Sequence, residues 1–381
     1  MKKILSVIGF NILLIGFFLF LANVLSIAAI QIFNMQKPKQ YAQSHLFPNY
    51  KDDPEAARKH FTEYDNITKG YYESYYVWRR PEMKLETINI SADGIRRTFH
   101  PEGAEPTATA AFFGGSTMWG TGAADDGTIP SYFARAMPSY EAINFGETGY
   151  TAHQSLNLFM RRLYEGFRPE VVVSYDGVND VWNKCRREHT AYSHNREYEM
   201  RTILKEGSPD NPESFGFLAQ PLINFAGKVS RTLTSWRNAS GATSPYECDE
   251  NPEKAEQIAR FLLADWKVMK MLVEGYGGVF IPILQPQAYG SKTRLEHLDL
   301  GKSLGRQYDA VYPKILELLP KEFPELQENF VDLRQALDQD DYFYIDWCHL
   351  SPNGNEIIAE EMAALVRARA DDGASQLSMA E

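Results

Sequence analysis

Ala108-Thr109-Ala110-Ala111-Phe112-Phe113-Gly114-Gly115-Ser116-Thr117 decides the fold. A short apolar run that stops at two glycines and a serine reads as a buried strand entering a tight turn. Downstream, residues 129–137 fit a helix and 140–145 a second strand. Thr151 and Gln154 are spaced as a capping box for a helix that runs on to Tyr164. Residues 170–175 form a third strand, and its consecutive Val171, Val172 and Val173 suit a parallel strand covered on both faces. Asn251-Pro252 places a cap and a first-turn proline before a helix over 253–274. Then come a strand at 278–284, a helix at 308–319 and a strand at 329–333. Ser351-Pro352 opens a last helix with Ile357, Ile358, Met362, Leu365 and Val366 on its apolar face. Strands alternating with helices imply an α/β fold. The expected form is a three-layer α/β/α sandwich around a mostly parallel, flavodoxin-like sheet.

The 381 residues are 44% hydrophobic and 23% charged, a composition that suits a folded protein with one large core. The formal net charge of −11 repels phosphate backbones, and no dense basic block offsets it, so nucleic acid is excluded as a partner.

Lys2 and Lys3 precede an uncharged apolar run over residues 4–33. As a helix this run spans about 45 Å, against about 30 Å for a bilayer's hydrocarbon core. The expectation is an N-terminal transmembrane anchor over 1–36, in a single-pass membrane protein with its N-terminus cytoplasmic and the rest extracytoplasmic, in the periplasm. A buried core helix is one rival reading. A cleaved signal peptide is another, since Ser26-Ile27-Ala28 has a small-x-small pattern.

Residues 37–106 read as a juxtamembrane linker and N-terminal extension with one short helix around Pro54–Tyr64. In it, Tyr71, Tyr72, Tyr75, Tyr76 and Trp78 are expected to pack the segment onto the main domain, with stacking on sugars as the alternative. The main domain covers 107–371, with an insertion at about 183–250 where periodicity weakens, and 372–381 form a flexible tail. Of the three cysteines, Cys185 and Cys248 flank the insertion and are the expected disulfide, although pairings with Cys348 stay open. Neither a metal nor a cofactor is implied, because no Cys-x-x-Cys or His-rich spacing occurs. Sequons stand at Asn66, Asn89 and Asn238 and matter only in a glycosylating pathway.

Binding sites in parallel sheets gather at the carboxyl ends of the strands. Three such ends carry polar residues: Gly114-Gly115-Ser116-Thr117, Asn144 through Gly149, and Asp176-Gly177-Val178-Asn179-Asp180. Asp346-Trp347-Cys348-His349 follows far downstream. Each block alone is common; the ordered set is not. Together they resemble the SGNH/GDSL hydrolase superfamily. That family has a serine in a glycine turn after its first strand and a glycine after its second. Gly-x-Asn-Asp follows its third strand, and Asp-x-x-His stands near the end. The match covers roughly residues 107–370 around the insertion. It implies Ser116 as nucleophile, Asp346 and His349 as the rest of a catalytic triad, and Ser116, Gly149 and Asn179 as oxyanion donors. Gly149 is chosen over Gly146 from its family spacing to Asn144. One departure stands out, since Gly115 replaces the aspartate of Gly-Asp-Ser. The lack of Gly-x-Ser-x-Gly argues against an α/β-hydrolase elbow.

The chemistry follows from the residue types. A serine hydroxyl needs a base to become a nucleophile, and His349 can be that base near neutral pH. A carboxylate three residues earlier can hold the imidazole's tautomer. His153 falls inside a helix and reads as structural, Asp180 as a loop cap, and Trp119, Trp182 and Trp347 as either packing or an apolar wall beside the site. The expected function is an extracytoplasmic serine esterase acting on O-acyl, chiefly O-acetyl, esters of envelope carbohydrate. The alternatives are an O-acyltransferase on the same glycans, a lipase or lysophospholipase, and a non-catalytic glycan-binding or assembly protein.

Overall fold

A computed structural model describes residues 2–35, 41–67, 70–206 and 244–380. The middle of the expected insertion, with Asn238, lies outside these residues, as do 36–40 of the expected linker. The chain forms two compact units, Met1–Lys39 with Arg196–Pro245, and Gln40–Asn195 with Tyr246–Glu381.

The first unit holds a continuous helix, Lys2–Met35, of 34 residues, and a shorter one, Glu197–Glu206. Among the described residues no helix is long and apolar enough to cross a membrane. The described residues therefore do not support the expected transmembrane anchor, although side chains at both ends of Lys2–Met35 fall outside them.

The second unit begins with a packed segment that holds the expected short helix. Its helix Pro54–Tyr64 starts at a proline capped by Asp53. Tyr41, Tyr50, Ala57 and Phe61 form a small apolar cluster that closes on Ile345. Two antiparallel pairs follow, β1 (Tyr71–Glu73) with β2 (Val77–Arg79), and β3 (Met83–Lys84) with β4 (Asn89–Ile90); of the expected packing aromatics Tyr76 and Trp78 are buried, whereas Tyr71, Tyr72 and Tyr75 are exposed on and beside β1. Such strands of two or three residues are too short for a period-2 pattern to show in sequence.

The main sheet is parallel throughout, with β5 (Ala108–Gly114), β6 (Tyr140–Asn144), β7 (Val171–Asp176), β8 (Val279–Leu284) and β9 (Val331–Asp332) in the order β6-β5-β7-β8-β9. Alternate side chains enter opposite layers. Ala110 and Phe112 meet residues of the helices Ile129–Ala136 and Pro352–Ala380. Ala111 and Phe113 meet residues of Ala152–Tyr164, Pro252–Glu274 and Lys302–Glu322. In this order the chain steps from β5 to β6 on one side and then to β7 on the other. The crevice this reversal opens lies at the carboxyl ends of β5 and β7.

Two elements differ from the sequence reading. The Gly-x-Asn-Asp block, read as a loop, is the first turn of the helix Val178–Lys184, entered through Gly177 at φ 109. The last helix continues to Ala380 instead of fraying after Asp371, and no proline interrupts it.

Candidate active site

Ser116 stands at the end of β5 as the first residue of the short helix Ser116–Trp119. Its Oγ lies 2.6 Å from His349 Nε2, and His349 Nδ1 lies 2.6 Å from Asp346 Oδ2. The other carboxylate oxygen, Oδ1, accepts the backbone N–H groups of Cys348 and His349 at 2.9 and 2.8 Å. The loop therefore folds around its own aspartate. It is also fixed from outside, since Ile345 N–H donates to His349 O and Ala288 N–H to Trp347 O, both at 2.9 Å. Thr117 Oγ1 donates to Cys348 O at 3.2 Å and accepts from Gln285 Nε2 at 2.8 Å.

The charges suit a relay. Burial alone would raise the Asp346 pKa, but the charge and hydrogen bond of His349 and the two backbone N–H groups outweigh it, and the carboxyl sits at about 2. Burial and then the Asp346 charge push the Cys348 thiol well above its ordinary value. Asp346, Cys348 and His349 each bring one potential metal-ligand atom within 4.8 Å of the others. A thiol held protonated is a poor ligand, and both carboxylate oxygens are already engaged.

Asn179 lies against the serine turn. Asn179 Nδ2 donates to Tyr150 O at 2.8 Å, and a second hydrogen on that nitrogen remains to be donated. A Cβ on Gly115 would stand 2.2 Å from Asn179 Nδ2. Glycine at 115 thus lets the amide close onto the serine turn. Gly149 has φ +80, a conformation that favours glycine, and a Cβ there would stand 2.2 Å from Asn195 Nδ2. The arrangement can activate a hydroxyl at Ser116 and present N–H groups to an oxyanion beside it.

Several residues near the site gave no motif. Tyr41 is buried, and its hydroxyl donates to Asp346 Oδ2 at 2.8 Å and lies 3.1 Å from His349 Nδ1. Asn195 closes over Gly149 from the end of a loop held by Asn183 Nδ2 on Ser193 O at 2.8 Å. Only Gln285, at the carboxyl end of β8, could have been suspected, because polar residues at strand ends mark sites in such sheets.

The remaining expected residues separate by environment. Asp180 Oδ2 accepts Ala152 N–H at the start of the helix Ala152–Tyr164, and Oδ1 pairs with Lys184 Nζ at 2.6 Å. His153 pairs with Asp265 at 2.9 Å. Trp119 is fully buried between the guanidinium groups of Arg80 and Arg96, at 4.3 and 4.1 Å. Trp182 and Trp347 are half-buried and stack at 6.2 Å, with Trp347 6.5 Å from His349. Cys185 and Cys248 form a disulfide, and Cys348 is a buried free thiol. A cavity of about 320 Å³ beside Tyr50 and His60 is lined by Asp52, Asp53 and Asp126, and by neither Ser116 nor His349.

No protein-family model matches the chain, and no curated protein matches it in sequence. Solved structures it is similar to include esterases and an α/β hydrolase. The acetyl xylan esterase AlAXEase shares 18% identity over 68% of this chain and 99% of its own, with a TM-score of 0.38. The acetylxylan esterase Axe2 from Geobacillus stearothermophilus shares 13% over 69% and 95%, with a TM-score of 0.37. LAE5, an α/β hydrolase from the metagenome of Lake Arreo, shares 13% over 68% and 95%, with a TM-score of 0.38. Likenesses this distant say nothing about substrate or individual residues.

Proposed function

We propose that this protein is a serine ester hydrolase of the SGNH type. Ser116 is the nucleophile, His349 the general base and Asp346 its partner, with the N–H groups of Ser116 and Gly149 and the Asn179 amide as the oxyanion hole. The observation that carries this reading is the unbroken chain Ser116 Oγ, His349 Nε2, His349 Nδ1, Asp346 Oδ2, with 2.6 Å at each contact. His349 takes the Ser116 proton as the oxygen attacks an ester carbonyl. It returns the proton to the departing alcohol, and water then hydrolyses the acyl-enzyme by the same route.

The substrate in this reading is an O-acyl, chiefly O-acetyl, ester of extracytoplasmic carbohydrate. The half-buried Trp182–Trp347 pair beside His349 supports it, because aromatic faces suit sugar rings. The Cys185–Cys248 disulfide supports an oxidising compartment. The helix Lys2–Met35 is then the attachment to a membrane. Exposed Phe10, Leu14, Ile15, Phe17, Phe18 and Phe20 along it support this part.

The test uses the full-length protein in detergent with a fluorophosphonate probe, p-nitrophenyl acetate and acetylated xylan, wild type beside Ser116→Ala. Wild-type labelling and acetate release that both vanish in the variant are expected. A folded wild type that neither labels nor releases acetate overturns the reading.

A further inference from the structure

The Tyr41 hydroxyl is unusual in where it points. It comes from the stretch before the helix Pro54–Tyr64, 305 residues ahead of Asp346, and reaches the same carboxylate oxygen that His349 Nδ1 uses. The contact is not a loose one. Tyr41 is 2% exposed, its ring stacks on Phe61 at 5.6 Å, meets Tyr64 edge-on at 5.4 Å and meets His349 edge-on at 6.2 Å. The helix that carries Phe61 and Tyr64 is itself tied to the serine turn, because His60 Nε2 donates to Thr121 O at 2.9 Å and Thr121 Oγ1 donates to Ser116 O at 3.2 Å. Tyr41 is thus held by elements that also hold Ser116.

We infer that Tyr41 is a positioning residue of this active site, which fixes the Asp346 carboxylate so that its Oδ2 stays aligned on His349 Nδ1. The inference rests on the reading of Ser116, His349 and Asp346 as a triad. Asp346 accepts Cys348 N–H and His349 N–H on Oδ1 and His349 Nδ1 and Tyr41 on Oδ2, and the Cys348 thiol also hydrogen-bonds the carboxylate. The two backbone donors fix one end of the carboxylate. Tyr41 and His349 fix the other, so the plane of the group is set by contacts at both ends. Without the phenol, Oδ2 loses one of its donors, and rotation about the Cβ–Cγ bond is less restrained. The carboxylate also loses a charge-assisted hydrogen bond. The tyrosine is suited to this role because burial, then the Asp346 charge, raises its pKa well above 10, so it donates and never competes as an anion.

The test compares full-length wild type, Tyr41→Phe and Tyr50→Phe. Tyr50 belongs to the same apolar cluster but donates its hydroxyl to Gly122 O at 2.6 Å, so its variant loses a buried phenol without touching the carboxylate. The expected result for Tyr41→Phe is a kcat lower by about tenfold to a hundredfold at an unchanged KM. The low-field proton resonance of His349 Nδ1–H should also move. Tyr50→Phe should leave kcat within about twofold and the resonance in place. A Tyr41→Phe protein with wild-type kcat and an unmoved resonance overturns the inference while leaving the hydrolase reading intact. A kcat loss that Tyr50→Phe matches, with no change in the resonance, overturns it as well, since the effect is then one of packing. A wild type that neither labels nor turns over overturns the hydrolase reading instead, and the resonance still decides whether Tyr41 holds Asp346.

Discussion

At the residue scale, Asp346 carries the most weight. Its carboxyl sits at about 2, so it contributes no limb to a pH–rate profile above about pH 4. Asp346→Asn keeps an oxygen for the two backbone N–H groups but turns an NH2 toward His349 Nδ1, which must then become an acceptor. With the tautomer reversed, Nε2 carries the proton and cannot take one from Ser116. We expect kcat to fall by about 10⁴ with a melting temperature close to wild type. A loss of less than about tenfold in stopped-flow acylation would sink that assignment. The contact of Ser116 with His349 and Asp346 was legible because Ser116 stands in a short motif at a strand end and the other two share an Asp-x-x-His motif downstream. Tyr41 was not, because its partner is 305 residues away and its surroundings are polar, with Pro38 and Pro48 on either side. Asn195 was hidden for a related reason, as the loop that delivers it runs through an expected insertion with no periodicity.

At the element scale, the helix Pro54–Tyr64 contributes through His60. Burial, then the nearby Arg96 charge, lowers its pKa to about 3, and its Nε2–H is spent on Thr121 O. The unfolded chain takes up a proton here near pH 6.5, whereas the folded chain resists protonation down to about 3. Protons therefore favour unfolding throughout that window, and stability falls as pH drops through it. Replacing His60 with Gln removes the titrating group, so urea unfolding free energies should depend on pH less steeply by one proton between about 3 and 6.5. Equal slopes in the two proteins would refute the assignment. The main strands and helices were readable because their apolar residues alternate with period 2 or recur with period 3.6 over enough residues. β1 to β4 were not, because each is set by its partner rather than by its own pattern. The helix Val178–Lys184 was masked by Gly177, whose positive φ looked like a turn and is in fact an entry.

At the scale of the whole molecule, the segment before the sheet is part of the working unit. Tyr41, Tyr50, His60 and Phe61 all meet residues of the main domain, while everything before Gln40 belongs to the other compact unit. A chain beginning at Gln40 should keep fluorophosphonate labelling at the wild-type rate. One beginning at Gly70 should lose at least about tenfold and unfold at lower temperature, since it exposes Ile345 and removes the phenol. Equal labelling of both truncations would show that the segment is dispensable.

The separation of Ser116 and His349 along the chain, 233 residues, has a consequence for when the proposed site is assembled. The serine turn is synthesised early, yet its base, the base's carboxylate partner and the loop that holds both come last. On the proposed reading, a nascent chain therefore carries an inert serine until the loop that bears His349 has been made.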